Sequence, residues 1–125
     1  MSVRDSVAAR LHVILARRAP VGVIFRRGPS KQCALVLWDR TNDTFEVGQW
    51  LEGRVYPMRS DLSPDGRHLI YFAMDGRWDR ESRGSWTAIS QPPWFTALGF
   101  YPKGDGLNGG GLFLDNDRFA LNVPP

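Results

Sequence analysis

The chain has 125 residues, of which 42% are hydrophobic and 23% are charged, and its net charge is +3. This composition is typical of one globular domain. It excludes a membrane-spanning helix, because no apolar run approaches about 20 residues. Arginines interrupt the apolar residues of the N-terminal region, so we expect no signal peptide. We therefore predict a cytoplasmic protein with a single domain over residues 1–125.

A helix is predicted near the N-terminus, over residues 2–18. Ser2 can cap its first turn, and Pro20 ends it. The apolar residues fall on one stripe at the 3.6-residue spacing of a helix. They are Val3, Val7, Leu11, Ile14 and Leu15. We expect this stripe to pack on a sheet.

The β region is predicted over residues 21–123, where short apolar runs alternate with turn residues. The predicted strands and extended segments are Val21–Phe25, Cys33–Trp38, Thr44–Leu51, Val55–Leu62, His68–Met74, Ser85–Ser90, Ala97–Tyr101, Gly111–Leu114 and Phe119–Val123. The clearest turn is Ser63–Gly66, whose proline and glycine favour a tight reversal. The runs Ala34–Trp38 and Leu69–Ala73 are apolar throughout, which predicts that both of their faces are covered.

Two segments carry a resemblance to a known repeat. Residues 35–39 read Leu-Val-Leu-Trp-Asp, and residues 61–71 read Asp-Leu-Ser-Pro-Asp-Gly-Arg-His-Leu-Ile-Tyr. The stretch Leu35–Met74 that contains them resembles a repeat of the TolB-like and tryptophan–aspartate β-propeller families. A weaker echo at Ala97–Gly104 lies at an interval compatible with a blade period of about 40–45 residues. The shared turn is structural, so the resemblance carries no catalytic residues.

The resemblance implies a mainly β protein of antiparallel, propeller-blade-like sheets. Together with the helix predicted from the apolar spacing, the expected fold is such sheets with one N-terminal helix. Propellers have about four to eight blades, and this chain has room for two or three, so we expect no closed ring. Either several chains assemble, or the chain is a piece of a longer protein, or the strands pack as a small β-sandwich.

Few residues suggest chemistry. The only cysteine, Cys33, is predicted to be a small buried core residue. His12 and His68 lie too far apart in the sequence to indicate a zinc site. The acidic pairs are predicted to be turn formers, and they are Asp61 with Asp65 and Asp115 with Asp117. We predict no catalytic residue, no metal site and no cofactor.

The glycine-rich segment Gly104–Gly111 could cradle a phosphate through its backbone amides. It lacks the lysine and the hydroxyl residue of a P-loop, so we interpret it as a flexible hairpin loop. The loop Asp75–Gly84 is the best candidate for binding, because arginine and tryptophan are enriched at binding hot spots. Its candidate residues are Arg77, Trp78, Arg80 and Arg83. Trp50, Trp86 and Trp94 could extend this surface, although we interpret them as core residues.

Three functions are consistent with these patterns. We favour a non-enzymatic module that binds a protein partner or a second copy of itself, and we expect no membrane partner. The first alternative is a nucleic-acid-binding protein, because residues 1–31 carry seven basic side chains and one acidic one. The second alternative is an enzyme whose site forms only between chains.

Overall fold

The computed structural model describes residues 9–28, 31–77, 79, 81, 83–106 and 108–123. Within them the chain is mainly β, and every strand pair is antiparallel. The strands are β1 (Arg10–Leu15), β2 (Val21–Arg27), β3 (Gln32–Asp39), β4 (Thr44–Glu52), β5 (Arg54–Val55), β6 (Asp61–Leu62), β7 (Leu69–Met74), β8 (Ser85–Ser90), β9 (Ala97–Pro102), β10 (Gly111–Phe113) and β11 (Phe119–Leu121). A short 3-10 helix, Pro57–Arg59, separates β5 from β6. No helix in these ranges is long and apolar enough to cross a membrane.

The first sheet is a meander of four strands in the order β1-β2-β3-β4. Its turns follow from local hydrogen bonds. Between β3 and β4, the Asp39 carboxylate accepts from the Thr41 amide at 2.9 Å, and Asp43 adopts a φ of 52°. Aspartate and asparagine tolerate this left-handed conformation better than most residues. The turn fixes the register of β3 against β4.

Strand β1 corrects the predicted helix over residues 2–18. Residues Arg10–Leu15 pair with β2 over their whole length, and residues 1–8 lie outside the described ranges. The helical stripe was misleading because the strand is apolar on both faces. Leu11 and Leu15 lie on one face and Ile14 on the other, which an apolar count at 3.6-residue spacing cannot distinguish from a helix.

The second sheet is built around β7. Its order is β5-β7-β8-β9, and β6 pairs with β7 on the same side as β5. The predicted extended segment Val55–Leu62 is interrupted by the 3-10 helix at Pro57, while the other strands predicted after residue 20 are present within two residues of their expected bounds. At the turn into β7, Gly66 has a φ of 76° and its amide donates to the Ser63 carbonyl at 2.8 Å. A glycine suits this left-handed position.

The two sheets share one hydrophobic core between them. The first sheet contributes Val23, Phe25, Cys33 and Leu35, and the second contributes Val55, Leu62, Leu69, Tyr71, Ala73, Trp86 and Ala88. These residues alternate along their strands, as expected for side chains that point to a common interior. The strands therefore form two layers with a core in the middle.

The other face of β7 is covered by the segment that leads into the hairpin of β10 and β11. A Cβ at Gly109 would lie 2.3 Å from the Phe72 ring, so glycine allows the backbone to lie directly on that ring. All five residues of Leu69–Ala73 are buried. The prediction that both faces of this run are covered is confirmed.

The propeller-blade expectation is not supported by the sheets. The predicted repeat Leu35–Met74 is divided, since β3 and β4 belong to the first sheet and β7 belongs to the second. The sheets do not clearly resemble propeller blades, and no sheet among the described residues closes into a barrel. Two layers around one core are the arrangement that the alternative of a small β-sandwich describes.

Candidate interaction surface

The outer face of the first sheet is the side turned away from the shared core. Cross-strand pairing places twelve residues on it in three rows of four. The rows are Leu15, Gly22, Trp38 and Phe45; then Val13, Ile24, Val36 and Val47; then Leu11, Arg26, Ala34 and Trp50. Directly paired residues of antiparallel strands project from the same face. These twelve residues form the outer face of the first sheet.

The outer face is apolar and exposed. Arg26 is its only charged residue. Six of its side chains are exposed, namely Leu11, Val13, Leu15, Phe45, Val47 and Trp50. Their exposed fractions run from 43% for Val13 to 65% for Leu11. Each presents on the order of 100 Å², so the face offers roughly 600 Å² of apolar surface, at the upper end of the largest patches on typical monomers, which are often functional.

One corner of the outer face is an ordered aromatic cluster. Trp38 and Phe45 stack with ring centroids 5.8 Å apart and an interplanar angle of 17°. The indole N–H of Trp38 donates to the Asp43 carboxylate at 3.1 Å. The Arg40 guanidinium lies over the Trp38 ring, 5.7 Å from its centroid. These contacts satisfy the polar edge of the indole and hold both rings on the surface.

The opposite corner pairs an arginine with a second tryptophan. Arg26 lies over the Trp50 ring, 5.7 Å from its centroid. Trp50 is 51% exposed and Trp94 is 44% exposed, whereas Trp86 is 9% exposed. The interpretation of the three tryptophans as core residues is therefore right for Trp86 and wrong for the other two. Tryptophan and arginine are the residue types most enriched at binding hot spots.

A polar groove borders the outer face beyond Trp50. Its volume is about 670 Å³, and it is lined by Lys31, Gln32, Glu52, Gly53, Arg54, Asp75 and Arg77. On the same side of the sheet, Gln32 and Glu52 are the next cross-strand pair after Ala34 and Trp50. The Arg77 guanidinium lies 3.7 Å from the Glu52 carboxylate. The groove is thus a charged rim at one end of an apolar face.

The four predicted binding residues are placed differently. Arg77 lines the groove, and its amide donates to the Asp75 carboxylate at 2.9 Å. Arg83 is exposed on the returning side of the β7–β8 connection, with a φ of 58°, and does not line the groove. Trp78 and Arg80 lie outside the described residues. Of the four predicted residues, Arg77 is the one that the structure places in the groove beside the outer face.

The carboxylates considered for acid–base chemistry are bonded within the fold. Asp61 accepts from the Phe113 amide at 2.7 Å. Asp65 accepts from the Ser63 hydroxyl at 2.6 Å and from the Arg67 amide at 3.0 Å. The prediction of Asp65 as a turn former is confirmed. Among the described residues there is no group of three or more His, Cys, Asp or Glu that could hold a metal ion.

Two aspartates of the predicted acidic pairs, Asp65 and Asp115, have lowered pKa values. Burial opposes ionisation of Asp65, but hydrogen bonds from Ser63 and Arg67 outweigh it, so the pKa of Asp65 lies below its ordinary value. The pKa of Asp115 is lowered chiefly by its hydrogen bond from the Arg118 side chain, with a further bond from the Asp117 amide. Both groups stay ionised at neutral pH and stabilise their turns.

Cys33 is 1% exposed, in agreement with the predicted core position. Burial raises the pKa of its thiol to about 12, although the nearby Arg27 charge acts in the opposite direction. The thiolate is the reactive form of cysteine. Cys33 therefore has the properties of a packing residue and not those of a nucleophile.

The glycine-rich segment Gly104–Gly111 uses its amides inside the protein. The Gly109 amide donates to the Asn122 carbonyl at 3.0 Å. The Gly110 amide donates to the Thr87 hydroxyl at 2.8 Å. These two donors are not available to a phosphate. Gly109 and Gly110 pack on the second sheet, which differs from the predicted flexible hairpin loop.

Sequence reasoning missed the outer face itself. The signal that could have found it is the apolar run of β3, read together with the exposed neighbours that β1 and β4 place beside it. Comparisons of this chain with known protein families, with characterised proteins and with solved structures find no match.

Proposed function

We propose that this chain is a non-enzymatic protein-interaction module that docks an apolar protein surface on the outer face of its first sheet. The observation that carries the proposal is the concentration of six exposed apolar side chains on a face with one charged residue. Protein interfaces have cores depleted in charge and enriched in aromatic residues and arginine. The outer face has this composition.

The size of the face limits the kind of partner. Removing roughly 600 Å² of apolar surface from water contributes about 15 kcal/mol at about 25 cal/mol per Å². Association costs about 4–15 kcal/mol before side chains are ordered. The two amounts are comparable, so a stable complex needs a partner that buries a similar apolar area of its own.

The rest of the fold supports a binding role rather than catalysis. Asp61 and Asp65 are bonded within the fold, and the pKa of Cys33 is raised. The resemblance to propeller repeats, which brings no catalytic residues, is compatible with this proposal. We include in this proposal that the protein binds its partner in a reducing intracellular compartment, because its single cysteine has no second cysteine in the chain with which to form a disulfide.

Single-stranded nucleic acid is the second candidate partner. It is favoured by Trp38 and Trp50, each of which has an arginine guanidinium over its ring. Bases stack on exposed aromatic rings beside positive charge. Four of the six exposed side chains are aliphatic, however, and aliphatic side chains offer no stacking surface. They are Leu11, Val13, Leu15 and Val47. The apolar protein partner is therefore the better match.

Site-specific photo-cross-linking tests the proposed function. A photo-reactive amino acid replaces Val47, which is 62% exposed on the outer face, or Leu98, which is 65% exposed on β9 of the second sheet. We expect protein adducts from position 47 and none of the same mass from position 98. Equal adducts from both positions, or none from either, would contradict the proposal.

A binding titration separates the nucleic-acid alternative. A fluorescent oligothymidine is mixed with the full chain at low salt, and anisotropy is followed. The alternative requires binding that falls steeply as salt rises. Absence of binding at low salt would remove this candidate and leave the protein partner.

A further inference from the structure

We infer that the partner of the outer face is a second copy of this chain, packed sheet against sheet about a two-fold axis that runs parallel to the strands. This inference rests on the proposed function and names its partner. A face that binds its own copy must be complementary to itself under the two-fold operation. The arrangement of residues on the outer face meets this condition.

The two-fold axis would run between β2 and β3, the central strands of the outer face. It places β1 of one copy opposite β4 of the other, within each row. Leu15 then faces Phe45 of the second copy, Val13 faces Val47, and Leu11 faces Trp50. The aliphatic edge strand of each copy thus meets the more aromatic edge strand of the other.

This orientation keeps the distance between the sheets even. Face-to-face sheets pack about 10 Å apart. An axis across the strands would instead place β4 against β4, with Phe45 opposite Trp50, and β1 against β1, with Leu11 opposite Leu15. All four exposed rings of Phe45 and Trp50 would then lie on one side of the interface, with Val47 between them, and the other side would be entirely aliphatic. The axis parallel to the strands distributes the large rings over both sides and keeps the separation of the sheets even.

The single charge of the outer face is also accommodated. Arg26 lies in the third row of β2, so the same axis places it opposite Ala34 of the second copy. Within its own chain the guanidinium extends past Ala34, which is 1% exposed, to the Trp50 ring. The two Arg26 side chains of the dimer lie on either side of the axis in the row that borders the groove, so both charges stay at the rim of the interface.

The area agrees with a dimer of moderate stability. Two faces of roughly 600 Å² bury about 1,200 Å² in total, the lower limit of standard-size interfaces. The charged groove lined by Glu52 and Arg77 would lie at the border of this interface, where polar rims are usual.

Sedimentation velocity on the full chain from about 1 to 200 µM tests the inference. We expect a concentration-dependent monomer–dimer equilibrium. Val47→Lys places a lysine in the apolar interface of each copy, and we expect dissociation to become at least 100-fold more favourable. Leu98→Lys is the matched control on an exposed edge strand of the second sheet, and it should dimerise like the wild type.

A mixing experiment tests the pairing of β1 with β4. Val13→Glu and Val47→Lys should each be monomeric, since the assigned axis places each new charge opposite a valine of the second copy, where it has no partner. Their equimolar mixture should form a heterodimer in which opposite charges meet. Both variants should fold, because Val13 and Val47 are already exposed in the single chain. Urea unfolding of each variant checks that it is folded.

The possible failures are distinguishable. A wild type that is monomeric at all concentrations, with position-47 adducts to a different protein, overturns the second copy and leaves the proposed function standing. Failure of the mixture to dimerise overturns the assigned axis. A cross-link from position 47 to residues 1–8 of the same chain overturns both proposals, and so does the absence of any position-specific adduct.

Discussion

The side chain of Gln49 connects β4 of the first sheet to the loop between β8 and β9 of the second. Its carbonyl oxygen accepts from the amide of Phe95 and, at 2.9 Å, from the amide of Thr96. Its NH₂ group donates to the Thr96 hydroxyl at 3.0 Å. The backbone amide of Gln49 also donates to the Pro93 carbonyl at 3.0 Å. We predict that Gln49→Ala lowers the free energy of unfolding by about 2 kcal/mol.

The expected magnitude follows from the two amides that lose their acceptor. Phe95 is 6% exposed, and an unpaired buried donor costs about 1–3 kcal/mol. Thr96 is exposed, so water replaces the lost bond, and its contribution is about 0.5 kcal/mol. With a urea dependence of about 1–3 kcal/mol per molar, the unfolding midpoint should fall by roughly 1 M.

Urea unfolding followed by tryptophan fluorescence measures this change. Gln49→Glu keeps an acceptor oxygen for the amides of Phe95 and Thr96 and loses the NH₂ donor, so at neutral pH we expect most of the stability to be retained. Gln32→Ala is the matched control, since Gln32 is an exposed residue at the start of β3, and it should change the free energy by less than about 0.5 kcal/mol. The reasoning is refuted if Gln49→Ala is as stable as the control, or if Gln49→Glu is as unstable as Gln49→Ala.

Three further predictions concern buried or bonded groups. Because the pKa of Cys33 is about 12, a thiol reagent at pH 8 should modify the native protein only as fast as it unfolds, and rapid labelling without denaturant would contradict this. Among the described residues, the Ser90 hydroxyl is buried without a hydrogen-bond partner, so Ser90→Ala should be neutral or stabilising by up to about 1 kcal/mol in urea unfolding. Because the folded pKa of Asp65 is lowered, its contribution to stability is complete above an unfolded pKa of about 3.9 and is lost as pH falls through the lower folded pKa. Asp65→Asn should therefore flatten the loss of stability measured below pH 4.

Most strands after residue 20 could be predicted because turn residues separate them. The Ser-Pro-Asp-Gly turn is an example, since Asp65 bonds the Arg67 amide and Gly66 takes a positive φ, as the sequence indicates. β1 could not be predicted in this way. No turn signal precedes Arg10, and its apolar residues fit a strand with two apolar faces as well as they fit a helix.

The sequence also could not predict which strands pair with each other and to which sheet each strand belongs. The resemblance of Leu35–Met74 to one repeat treats its strands as neighbours, but which strands pair depends on contacts between residues far apart in the chain. Gln49 is bonded to Phe95 and Thr96, 46 and 47 positions away. The candidate site shows the same limit, because local composition identified Arg77 on the rim and assigned Trp50 to the core.

One sequence signal does connect the fold to the proposed function. Continuous apolar runs predict strands covered on both faces, and β7 fulfils this, with the first sheet on one side and Gly109 against Phe72 on the other. β3 carries the same kind of run, yet Val36 and Trp38 on its outer side are only half-buried. The outer side of this strand is therefore only partly covered within the chain, which supports the proposal that a partner supplies a second layer. A copy of the same sheet would supply that layer with the composition that β3 requires.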